Sequence, residues 1–162
     1  MAGPFTAYFE SEHRRLGRLL KRALPATGDV ATDRFDEFRR ALLQRIAVEE
    51  RVLFPALEKK LGRQPLYRRA LARDHGGLVA ICAPTPHREW VDGLWEQLEY
   101  HHAIELGDEG FCAQCDDALG RSATTVLRRA AGLPTIEVPA YGDGLILRQR
   151  IAELLVATGV SH

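Results

Sequence analysis

Four helix-length segments of this chain each carry a polar, metal-capable side chain on an otherwise apolar face: His13, then Glu49, then His75, then the pair His101 and Glu105 in H-x-x-x-E spacing. A helix hides such a stripe only against other helices, so the pattern constrains the chain to an all-α helical bundle. Its interior would then hold three imidazoles and two carboxylates. Burying that many polar groups is costly unless a cation or a hydrogen-bond network compensates them.

The segments read as follows. The first begins at Pro4, which suits an opening helical turn, aligns Phe5, Tyr8, Phe9, Leu16, Leu19 and Leu20 with His13, and stops before Pro25. The second starts near Asp33, runs to about Lys60 and turns Phe35, Phe38, Leu42, Val52 and Leu53 inward on the same line as Arg45 and Glu49. The third, about Leu66 to Cys82, aligns Leu71, His75, Leu78 and Cys82. After the APTP break, where two prolines forbid a continuous helix, the fourth begins near His87 and places Val91, Leu94 and Leu98 with His101 and Glu105; Gly107 and Gly110 disturb or end it.

Four amphipathic segments joined by short polar connections predict an up-down-up-down four-helix bundle over residues 1–120. FCAQCDDAL either prolongs the fourth helix or forms a separate turn. Residues 121–162 are expected to form a C-terminal extension that packs on the bundle: an irregular stretch, GLPTIEVPAYGDG, then a short helix from Leu145 to Ala157.

At 162 residues, with 22 basic and 22 acidic side chains, the chain has no charge excess or basic stripe that would name nucleic acid or an anionic membrane as partner. No stretch approaches the roughly 20 apolar residues of a membrane span, and no signal-peptide pattern opens the chain. Three cysteines fit a reducing compartment, which predicts a cytoplasmic protein. Cys112 and Cys115 form a lone C-x-x-C, open to three readings: a redox pair, half of a zinc site completed by His87, His101 or His102, or two cysteines that merely fall close together.

Any one histidine on an apolar helix face is more often a hydrogen-bonded core residue than a ligand. Their recurrence on facing segments is what points to metal. Residues i and i+4 lie on one helix face about 6 Å apart, so His101 and Glu105 can reach one cation together, or two with the carboxylate bridging. Imidazole with carboxylate suits iron, with manganese or zinc less favoured. His102 and Glu50, one step off the inward line, are read as supporting or alternative groups.

RIAVEERVLFPAL, Arg45 to Leu57, resembles the second helix of hemerythrin-like, HHE cation-binding domains, whose pattern is H-x-x-x-E-E-x-x-L-F-P; SEHRRL, ARDHGGL and YHHAIEL follow the family's order around His13, His75, His101 and Glu105. The resemblance spans about Phe5 to Leu119. It implies a four-helix bundle with a non-haem di-iron centre, with His13, Glu49, His75, His101 and Glu105 as ligands and the glutamates bridging. Implied functions are oxygen carriage, sensing of oxygen, nitric oxide or redox state, and iron handling, with a small diatomic ligand or oxidant as partner. The rivals are an iron-dependent enzyme acting on peroxide or another small oxidant, and a metal-free interaction module. No G-x-S-x-G elbow or phosphate loop accompanies the set.

One departure bears on metal number. Arg45 stands where the family has a histidine, and a guanidinium remains protonated and has no acceptor lone pair. Either its charge substitutes for one cation, leaving a single-metal site, or it snorkels to the rim of the bundle. In the first case His75, His101 and a glutamate form a two-histidine, one-carboxylate set of the kind that holds non-haem Fe(II).

Overall fold

The computed structural model describes residues 1–157, with side chains through residue 154; all regular structure among them is helical. The helices are α1 (Pro4–Ala23), α2 (Thr32–Val48), α3 (Phe54–Leu61), α4 (Arg68–Ile81), α5 (Arg88–Leu106), α6 (Phe111–Leu119), α7 (Ala123–Ala131) and α8 (Leu145–Ala157). No described helix is long and apolar enough to cross a membrane. The helix packings include α1 along α2, α4 along α5, α6 against α1, α3 and α5, and α8 against α4.

The second segment is a continuous rod with a wide π turn, Glu49–Leu53, between α2 and α3. Pro55 lacks the N–H that would bond four residues back, and the Phe54 N–H instead reaches five residues back to the Glu49 carbonyl. The rod ends at Gly62, whose φ of 69° is a left-handed cap. FCAQCDDAL is a helix of its own: Gly110 turns the chain sharply, where a Cβ would sit 2.5 Å from the Glu105 carbonyl oxygen. Ala123–Ala131 forms a helix that periodicity did not pick out, because its buried stripe of Ala123, Val126 and Ala130 is small and its paired threonines are weak helix formers.

The apolar core divides into two clusters. One holds Leu16, Phe38, Leu42, Leu78 and Leu98; the other holds Phe9, Val48, Val52, Leu71 and Phe111. On α1, His13 falls between Phe9 and Leu16; on the α2 rod, Arg45 and Glu49 fall between Leu42 and Val52; on α4, His75 falls between Leu71 and Leu78; on α5, His101 and Glu105 follow Leu98. A single polar level thus interrupts the packing of all four segments.

Candidate metal centre

Arg45, Glu49, His75, His101 and Glu105 are all buried. The π turn supplies Glu49, α4 supplies His75, and α5 supplies His101 and Glu105 one turn apart. One ligand atom from each of Glu49, His75, His101 and Glu105 lies within 4.8 Å of the others. His75 Nε2 is 3.0 Å from Glu49 Oε2, and His101 Nε2 is 3.1 Å from Glu105 Oε1 and 4.0 Å from Glu49 Oε2. Four of the five expected ligands therefore converge.

Both rings are held from behind. His75 Nδ1–H donates to Glu50 Oε1 at 2.7 Å, and His101 Nδ1–H donates to Asp74 Oδ2 at 3.2 Å. Carboxylates only accept, so these contacts fix the proton on Nδ1 and aim Nε2 inward. Nε2 then faces Glu49 or Glu105, acceptor against acceptor, and a proton or a metal ion must lie between. Without metal the rings carry the proton: burial opposes the imidazolium of His101, but the hydrogen bond to Asp74 and the facing Glu105 carboxylate outweigh it and push its pKa up to about 9. His75 is raised in the same way, its bond to Glu49 overcoming burial.

Arg45 occupies the other side of the two glutamates. Its guanidinium pairs with Glu105 Oε2, and its Nε lies 3.4 Å from Glu49 Oε1. Its side chain is 1% exposed, which excludes the rim position. Burial would raise the pKa of Glu105, but Arg45, with His101 and His102, holds it well below the usual carboxylate range. Glu49 is pushed up instead, by burial and then by the Glu105 charge. Glu105 Oε1, facing His101, has no well-directed hydrogen bond.

His13 lies outside the four-residue group. Its Nε2 contacts Glu99 Oε1 at 2.5 Å, and its ring stacks on His102, with centroids 3.6 Å apart. The surface carboxylate on α5 and the stack hold it to the side, and burial and the His102 ring lower its pKa. His102 Nδ1 in turn is 3.5 Å from Glu105 Oε2, so His102 supports the site from outside. Glu50 also takes a supporting position. Asp74 was not singled out from sequence: it sits off the apolar line, and its partner is on another helix.

Cys112 and Cys115 are free, buried in the apolar cluster beside Phe9 and Phe111, and absent from the convergent group. Burial raises both thiols far above their ordinary range, whereas zinc ligation and disulfide exchange need thiolate. His87 packs edge-on against Trp90 at the far end of α5 from His101.

The chain is thus an all-helical protein with a buried imidazole–carboxylate quartet able to take a metal ion. Residues 5–84 match the family model of the hemerythrin HHE cation binding domain, and over that span the chain is hemerythrin-like. The match covers α1 through α4, including Arg45, Glu49 and His75; His101 and Glu105 lie beyond it and are brought to the site by the fold. No curated protein and no solved structure matches the chain.

Proposed function

We propose that this protein is a hemerythrin-type, non-haem iron-binding protein with one iron per chain, in a four-helix up-down-up-down bundle, which senses oxygen, nitric oxide or redox state or handles iron in the cytoplasm. The observation that carries the single-metal reading is the division of the glutamate oxygens. Arg45 takes Glu105 Oε2 and lies beside Glu49 Oε1, while Glu49 Oε2 and Glu105 Oε1 face the two Nε2 atoms.

The residues present fit one divalent ion. Two imidazoles and two carboxylates are a donor set suited to iron, manganese or zinc, and Glu105 Oε1 is a buried acceptor without a hydrogen bond. Iron held there would supply a redox couple and a Lewis acid for a small diatomic ligand or oxidant. Arg45 neutralises one carboxylate charge and opposes a second cation beside it. Glu50 and Asp74 keep the inward nitrogens free of protons once metal is present. Three free, buried cysteines agree with a reducing compartment.

Metal analysis of protein purified without chelators tests this reading. About one ion per chain is expected, since the four donors define a single compact group. Two tightly held ions would overturn the single-metal reading, and none would overturn metal binding altogether. In Arg45→His, which removes the opposing charge and adds a donor, the metal content should rise above that of the wild type. A visible absorption change when nitric oxide meets the anaerobic iron-loaded protein would support the sensing role.

A further inference from the structure

We infer that Glu50 and Asp74 are positioning residues that set the metal affinity of the quartet, and that Arg68 adjusts it through Glu50. The inference rests on the metal-binding reading above and adds the groups that govern it.

Each of these carboxylates sits beside a quartet residue in the chain but serves a histidine on the next element. Glu50 follows Glu49 on the π turn and reaches His75 on α4; Asp74 precedes His75 on α4 and reaches His101 on α5. Neighbouring helical positions point about 100° apart, so a residue next to an inward one faces sideways along the joint between helices. Glu50 is 31% exposed and Asp74 20%, so neither is a core residue, and each can be altered without opening a cavity.

A carboxylate accepting from Nδ1–H makes the ring a stronger donor through Nε2 and holds its orientation. Glu50 is itself shared: while Oε1 accepts from His75, Oε2 lies 3.3 Å from Arg68 Nη2. Arg68 also reaches Glu58 at 3.2 Å and lies 4.1 Å over the Phe54 ring. Its positive charge withdraws part of the negative charge that Glu50 offers His75. Removing either carboxylate should weaken the site, and removing the Arg68 charge should strengthen it. A merely structural role gives no such opposite signs.

The third histidine–carboxylate pair, His13 with Glu99, provides the control. Its 2.5 Å contact is the shortest of the three, but His13 is outside the quartet. Glu99→Gln should leave metal affinity unchanged.

Cobalt(II) affinity, measured by competition with a chelator on the full chain, reads all four variants, and circular dichroism of the metal-free proteins checks that each is folded. Glu50→Gln and Asp74→Asn should each weaken cobalt binding about 10- to 100-fold at unchanged stoichiometry. Arg68→Gln should tighten it about threefold, the scale of a partly exposed ion pair. Affinities of Glu50→Gln and Asp74→Asn equal to the wild type would overturn the positioning role, and weaker binding by Arg68→Gln would overturn the adjustment through Glu50. A wild-type chain that takes up no cobalt would instead remove the metal-binding reading on which this one depends.

Discussion

Arg45 is the residue on which this site turns. A guanidinium buried between two glutamates is a compensated charge: desolvation is offset by close pairing on both sides, and Phe9 lies 5.2 Å from its Cζ. His75 and His101 bring the complementary property, protons that a metal must displace. Their folded pKa values are raised above the ordinary 6.5, to about 9 for His101. A raised histidine contributes stability that is fully present below 6.5 and lost as pH climbs through its folded value. Glu105, held below its ordinary 4.5, works in the other direction and withdraws stability as the solution becomes acidic. Thermal stability of the metal-free protein should therefore fall between pH 6.5 and about 9, while apparent cobalt affinity should rise across the same interval as the inward nitrogens lose their protons. Parallel melting and cobalt titrations across that range check this, and flat profiles would contradict the proton–metal exchange.

At the scale of elements, two devices place the site. The π turn introduces Glu49 and lets Glu50 turn toward α4, and it arises where Pro55 cannot donate. The second device is a cap from far along the chain. α1 has no capping side chain of its own, since its N-cap is Gly3; Asp116 on α6 accepts instead from the Phe5 N–H at 2.7 Å and the Thr6 N–H at 3.2 Å, and from the Thr6 hydroxyl at 2.6 Å. Gly3 makes room, because a Cβ there would lie 2.2 Å from the carboxyl carbon. Asp116→Ala should cost about 1–2 kcal/mol, the range for a lost N-cap, and should do so by loosening the start of α1. Urea unfolding gives the magnitude, and hydrogen exchange at Ala7 and Tyr8 shows whether the first turn frays. The α1 boundaries were legible from Pro4 and the apolar stripe. The cap was not, because no local pattern links residues so far apart in sequence.

For the whole molecule, the C-terminal segment is tied to the helical body at two places, Pro139 to Gly142 and Ile151. Arg39, buried on α2, donates to the Pro139 carbonyl at 2.8 Å under the Tyr141 ring, and the Tyr141 hydroxyl donates to Asp36 at 2.6 Å. Gly142 N–H bonds the Ala83 carbonyl at 2.9 Å, and α8 then sets Ile151, fully buried, into the cluster with Leu78, Ile81 and Leu94. Ile151→Ala should cost about 2–5 kcal/mol through the cavity it leaves. Its metal content should stay at the wild-type level, because Ile151 packs in the cluster on the Leu78 side of the polar level rather than within the quartet. Denaturant unfolding beside metal analysis separates the two effects.

The helical class, the inward lines of four segments and all four residues of the convergent group, among five expected ligands, could be read from the sequence alone, because burial period and side-chain chemistry are local properties of a chain. The sequence also marked Arg45 as the departure, since a guanidinium cannot ligate wherever it lies. Tertiary structure decided what the periodicity of single helices leaves open: that Arg45 is buried between both glutamates, that His13 is drawn aside by Glu99 and His102, that Asp74 stands behind His101, and that Cys112 and Cys115 belong to the core. Each of these depends on how one helix is rotated against another. That rotation is fixed by side chains distant in sequence, which only the packed molecule brings together.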